Sequence, residues 1–178
     1  MKMKPLKIDI TNIRREIAAE QNFDRKWIPE DMIWQGEPLR FRDPLHVKGR
    51  IFNGGDVLLL TADVKGNIIL QCGACLESYV QGFDFPIEAR LKSAPNKENP
   101  DYFVYKGNEV DLSEIVLEFL LSELPIRRRC REDCKGLCPV CGANRNDGEC
   151  SCTITGKTDP ELTVDERLKP LRDYFFNQ

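Results

Sequence analysis

"LHVKGRIFNGGDVLLLTADVKGNIILQC", residues 45–72, decides the fold. Its period is two. Leu45, Val47 and Ile51 alternate with His46, Lys48 and Arg50, as in a strand with one face buried. "NGGD" at 53–56 carries turn chemistry, and "VLLLTADV" returns as a second strand. "KGN" at 65–67 reads as a second turn, after which "IILQC" is a further strand ending on a cysteine. Beyond Cys75, Phe83, Phe85, Ile87, Ala89 and Leu91 fall on one face of a longer alternation. "APNKENPD" is a polar loop and "YFVY" another strand. The pattern implies an antiparallel β-meander or a partly closed barrel.

Upstream, Ile8 and Ile10 alternate with polar residues as a short strand. Thr11 or Asn12 is placed to cap a brief helix carrying Ile13 and Ile17. Residues 22–44, with Trp27, Trp34, Pro29 and Pro38, show no clear period and read as strand and loop. Downstream, "DLSEIVLEFLLSELP" changes the period. Leu112, Ile115, Val116, Phe119, Leu120 and Leu124 make one apolar stripe at helical spacing. Asp111 with Glu114 forms a variant capping box, and Pro125 stops the helix. The plain role of this helix is to cover the sheet.

The fold class expected is therefore α+β: a β-meander or partly closed barrel, covered by an amphipathic helix, and, because Cys130, Cys134, Cys138, Cys141, Cys150 and Cys152 crowd residues 130–152 at metal-ligand spacing, with a C-terminal zinc knuckle. Residues 1–129 make the β-rich core domain with helix 111–124, 130–152 the cysteine-rich segment, and 153–178 a tail docking on the core.

Hydrophobic residues are 41% and charged residues 31%, with a net charge of -3. That balance fits a folded protein and gives no whole-molecule field to attract nucleic acid. The start "MKMKPLKIDI" lacks the apolar run of a secretory signal. No apolar stretch approaches a membrane span. A cytoplasmic, reducing location is expected, and no membrane partner.

The eight cysteines fall into four pairs: Cys72 and Cys75, Cys130 and Cys134, Cys138 and Cys141, Cys150 and Cys152. In a reducing compartment such spacing reads as metal binding rather than a disulfide framework. The C-x-C of Cys150 and Cys152 would also make a small, strained ring if bridged. Four thiolates close one tetrahedral zinc site, so eight predict two zinc ions per chain. Two groupings are open. Cys138, Cys141, Cys150 and Cys152 can close locally, leaving Cys72 and Cys75 to join Cys130 and Cys134 in a long-range crosslink. Alternatively Cys130, Cys134, Cys138 and Cys141 group together. Local closure favours the first. A pair left free for redox chemistry is a third possibility, although the strand-to-helix context of thioredoxin is missing. Iron, alone or as an iron–sulfur cluster, would accept the same ligands.

No catalytic constellation accompanies the thiols. His46, the only histidine, falls on a polar-facing strand position and reads as a surface residue. There is no G-x-S-x-G and no phosphate-binding loop, and no enzymatic activity or small-molecule substrate is expected. "RRRCR" supplies Arg127, Arg128, Arg129 and Arg131. They fit a phosphate-backbone clamp. They fit better still a solvated basic turn that balances Glu132, Asp133 and the formal charge of thiolate-bound zinc.

"CGACLESY", "DLSEIVLEFLLSELP", "CREDCKGLCPVCGANRNDGECSC" and "DERLKPLRD" occur in that order. This series resembles the YceD-like family, first defined as a domain of unknown function, whose members are called large ribosomal RNA subunit accumulation proteins. The resemblance covers about residues 70 to 170; the N-terminal part shares only its strand-rich character and its start. It implies a role in the synthesis, processing or stability of large-subunit ribosomal RNA, with that RNA or an assembling ribosomal protein as partner. Members vary in the cysteine-rich tail, which implies that the site with Cys72 and Cys75 is the common one. Many relatives are less basic at "IRRRC", so the family implies nothing about these arginines. The competing expectations are a thiol or iron redox module and a zinc-ribbon nucleic-acid factor unrelated to ribosomes.

Overall fold

The computed structural model describes residues 5–93 and 102–152. Its strands are β1 (Lys7–Asp9), β2 (Glu20–Trp27), β3 (Met32–Trp34), β4 (Glu37–Phe41), β5 (Leu45–Asn53), β6 (Leu58–Gln71), β7 (Ser78–Lys92), β8 (Tyr102–Val104) and β9 (Glu109–Asp111). One α-helix follows, α1 (Ser113–Glu123). A single 3₁₀ turn, Ile13–Arg15, precedes β2.

β6 is the spine. β7 pairs with it along its whole length, from Leu58↔Leu91 to Gln71↔Ser78. On its other edge β5 pairs with the first half and β4 with Ile68 and Ile69. β2 extends the sheet beyond β5, and β3 beyond β4. Among the described residues no pair joins the two edges, so the sheet is open rather than a closed barrel. It is mostly antiparallel; β8 lies parallel to β7. β1 and β9 form a separate two-stranded ribbon.

"KGN" is not a turn. Lys65, Gly66 and Asn67 lie inside β6 and keep their register with β7. The even-numbered residues Leu58, Leu60, Ala62, Val64, Ile68 and Leu70 are buried throughout, so the period never slips. Gly66 is there for space: a Cβ would stand 2.6 Å from Leu45 Cδ2 and 3.0 Å from Phe83 Cζ. The connection between β6 and β7 is instead Cys72–Glu77, closed by Cys72 N–H donating to Glu77 O at 2.8 Å. The longest hairpin among the described residues thus turns on the first cysteine pair.

Residues 22–44 resolve into strands. β3 and β4 are joined by Gln35 and Gly36, both at positive φ (52° and 83°), the backbone of a two-residue hairpin turn. The expected N-terminal helix shrinks to the 3₁₀ turn. Ile13 is buried, but Ile17 is 74% exposed and outside it.

α1 buries Ile115, Val116, Leu117 and Leu120, with Phe119 and Leu124 partly buried against the core. Burying each such side chain is worth about 1.5–3 kcal/mol. Its N-cap is Leu112, not Asp111, because Asp111 pairs with Lys7 in the ribbon. Asp111 Oδ1 still accepts from Ser113 N–H at 3.0 Å. Ser113 Oγ accepts from Leu6 N–H at 2.7 Å, fastening the N-terminal segment to the helix start. The proposed docking of residues 153–178 lies outside the described residues.

Candidate metal centres

Two sets of four thiols form: Cys72, Cys75, Cys130 and Cys134, and Cys138, Cys141, Cys150 and Cys152. This is the grouping favoured by local closure. Within each set the sulfurs all lie within 4.8 Å of one another. Cys72 Sγ is 3.9 Å from Cys134 Sγ, and Cys75 Sγ is 3.7 Å from Cys130 Sγ. A tetrahedron with metal–sulfur bonds of ~2.3 Å has edges of about 3.8 Å. These two separations match the edge of such a tetrahedron, and either set could hold a metal ion.

The first set gathers two distant parts of the chain. The β6–β7 turn supplies Cys72 and Cys75. The segment after α1 supplies Cys130 and Cys134. Gly73 N–H donates to Arg128 O at 2.8 Å, and Leu137 N–H to Ala74 O at 2.9 Å, so each flank of the second pair is tied to the turn. Cys72, Cys75 and Cys134 are buried, with Ala74, Tyr79, Cys130 and Leu137 packed around them. Tyr79 also touches the main core, which joins the two hydrophobic clusters. The second set is more open: Cys138 is buried and Cys141 exposed.

The thiols are poised for a cation. Burial raises Cys72, but the amides of Cys75, Ala74 and Cys130 outweigh it and hold that thiol at about 6. Cys134 is lowered by the Asn146 side-chain amide and the Gly136 backbone amide. Cys130 is pushed up to about 12 by burial and by its neighbouring thiols. The second set behaves alike. The amides of Cys141 and Val140 hold Cys138 at about 6, while Cys152 is pushed up to about 12, first by its contact with Cys141. Backbone amides stabilise one or two thiolates, and mutual repulsion stops the rest from ionising. A divalent cation removes that repulsion and releases the remaining protons.

The residue after each C-x-x-C turn takes positive φ: Gly142 at 73°, and Leu76 at 63° with 54% of its surface exposed. Glycine suits this backbone and leucine does not. Leu76→Gly should raise the unfolding free energy by about 0.5–1 kcal/mol; chemical denaturation of the metal-loaded protein checks it.

The arginines part company. Arg128 is spent on structure: its side chain is 14% exposed, ion-pairs with Glu37, and lies 5.2 Å from the Trp34 ring centroid. It holds the β3–β4 hairpin against the cysteine-rich segment. Arg131 pairs with Asp133 at 3.3 Å and donates to Asn146 Oδ1 at 2.9 Å. Arg127 and Arg129 are exposed, and Arg129 makes only a long contact, 3.5 Å, to Glu132 O among the described residues. His46 sits on the outer sheet face, 2.7 Å from Asp24. Glu37, Trp34, Glu77, Asn144 and Asn146 escape sequence reasoning; the asparagines of "GANRND" look like turn formers until the thiol sets are assembled.

An open, mostly antiparallel sheet whose main hairpin turns on one of two four-thiolate sets defines a β-sheet protein with paired candidate metal knuckles. Residues 60–173 match the family described as "Large ribosomal RNA subunit accumulation protein YceD", and the chain belongs to that family. It is similar to "Large ribosomal RNA subunit accumulation protein YCED homolog 1, chloroplastic" of Zea mays, with 25% identity over 144 residues. That alignment covers 62% of this chain and 49% of the maize protein, so the chain spans about half the length of this relative. No solved structure matches the chain.

Proposed function

We propose that this chain is a non-enzymatic, zinc-binding factor that supports accumulation of large-subunit ribosomal RNA in ribosome biogenesis, through its synthesis, processing or stability. The observation that carries this reading is family membership over residues 60–173, a span that contains all eight thiols. Each closed four-thiolate set leaves no position for a reactive water, which favours a structural metal over a catalytic one. Zinc is the metal proposed, two per chain. A colourless protein that releases two zinc ions supports it, and a coloured, iron-containing one supports the redox reading. The location proposed is the reducing cytoplasm. The exposed Arg127 and Arg129 favour RNA over a ribosomal protein as the direct partner.

Loss of the protein should lower large-subunit ribosomal RNA relative to small-subunit RNA. Binding is tested by titrating large-subunit RNA with the wild type and with Arg127→Ala/Arg129→Ala, which spares Arg128 and its hairpin contact. The double variant should keep both metal ions. If each arginine meets a phosphate, the slope of log affinity against log salt should become shallower by about 1.4–1.8. An unchanged slope would point to a protein partner, met by the sheet face or the helix side bearing Glu114 and Glu118.

A further inference from the structure

The loop that closes the second thiol set also reaches the first. Asn146 lies between Cys141 and Cys150 in sequence, yet its Nδ2 donates to Cys134 Sγ at 3.4 Å. Its Oδ1 accepts from Lys135 N–H and from Arg131 Nη2, each at 2.9 Å. Both partners only donate, so a reversed amide would set its NH2 against two N–H groups. The amide nitrogen therefore faces the sulfur. Asn144 braces it from behind: Asn144 Oδ1 accepts from Asn146 N–H at 3.1 Å and from Asn146 Nδ2 at 2.8 Å. Asn144 Nδ2 in turn donates to Glu77 Oε1 at 3.0 Å, two residues beyond Cys75. Arg145 N–H donates to Gly136 O at 2.9 Å, two residues beyond Cys134.

We propose that the two thiol sets load metal cooperatively and that Asn146 is the positioning residue that couples them. This rests on the reading that both sets hold a divalent metal. Residues 142–149 contain no buried side chain, so hydrogen bonds rather than packing fix the loop. An ion held by Cys138, Cys141, Cys150 and Cys152 closes the loop at both ends and meets the ordering cost there. Asn146 then stands ready to donate to the Cys134 thiolate, and a hydrogen bond to a ligating sulfur strengthens its site. Linkage makes the effect mutual: an ion on Cys134 fixes Asn146 and with it the second loop.

The test uses the full chain, stripped of metal and titrated with cobalt(II) against a competing chelator. The visible bands of cobalt report tetrahedral thiolate coordination. Cys150→Ser leaves every ligand of the first set in place, yet should weaken that set about 10–100-fold, the range for loss of an outer hydrogen-bonding partner. Asn146→Ala should weaken the first set similarly, shift its sulfur-to-cobalt absorption and still take up two ions. Combining the two substitutions should weaken the first set no further than Cys150→Ser alone. Asn146→Asp keeps the acceptor for Lys135 and Arg131 but has no N–H for the sulfur, so it should resemble Asn146→Ala. First-set affinities that agree in all these variants overturn the coupling and leave the metal reading intact. Wild-type affinity and absorption in Asn146→Asp also overturn it, because loop anchoring alone would then suffice. Failure of the wild type to bind cobalt at either set overturns both.

Discussion

Cys72→Ser is expected to remove one of two metal ions and lower the melting temperature by about 8–16 °C. Cys72 is fully buried at the end of β6, and its partners Cys130 and Cys134 come from beyond α1. An ion held between them closes a chain loop of roughly 60 residues, and crosslinking such a loop removes about 4 kcal/mol of denatured-state freedom in the chain-entropy picture drawn for disulfides. A domain of this size loses about 2–4 °C per kcal/mol, which gives the range. Cys150→Ser should also cost one ion but act mainly within residues 138–152, whose set closes locally. Metal analysis with calorimetry on both variants checks this. Equal melting shifts would mean that the first set is no more of a crosslink than the second. Hydrogen exchange adds the location: protection should fall most at the β6–β7 turn and around residues 128–137 in Cys72→Ser, and most within residues 138–152 in Cys150→Ser, with a smaller loss at the turn.

Why the thiol sets were legible follows from their chemistry. Ligands for one tetrahedral ion come in close pairs, and local closure limits how pairs combine. The strand pattern was legible for a similar reason: one buried face imposes a period of two from Leu58 to Leu70. "KGN" misled because glycine and asparagine signal a turn locally, while the reason for Gly66 is Phe83 and Leu45 packing over it, residues distant in sequence. The parity of Val64 and Ile68 carried the opposite message and was the better guide, since a true turn has no need to preserve it. The parallel pairing of β8 was out of reach: three residues with no period cannot declare an orientation. The same limit hid Arg128. Nothing in "RRRCR" distinguishes the arginine that stacks on Trp34 from those left to solvent, because the distinction is made by a hairpin some 90 residues away.

Asn53→Ala is the second substitution expected to have a large effect, and its residue looks unremarkable in "NGGD". Asn53 is 4% exposed, one of the few buried polar side chains. Its Nδ2 donates to Ile13 O at 2.8 Å and Glu16 O at 3.0 Å, and its Oδ1 accepts from Gly55 N–H at 2.8 Å. Its backbone pairs with Ala18 and Ala19 as well. One side chain thus closes the β5–β6 turn and clamps the 3₁₀ turn to the end of the sheet. Removing it leaves two carbonyls and one amide to find other partners in a partly buried place. The cost should be about 3 kcal/mol, or about 6–12 °C in melting temperature. Metal stoichiometry should stay at its wild-type value, because the clamp lies at the end of β6 remote from Cys72. Asn53→Asp distinguishes hydrogen bonding from packing. At neutral pH it sets a carboxylate against the Ile13 and Glu16 carbonyls and should be worse than alanine. Those carbonyls disfavour the charged form and raise its folded-state pKa above the unfolded value. The variant should therefore regain stability relative to wild type as the pH falls through that raised pKa, when the protonated carboxyl can donate again. An Asn53→Asp variant as stable as wild type at neutral pH would show that the donor bonds contribute nothing.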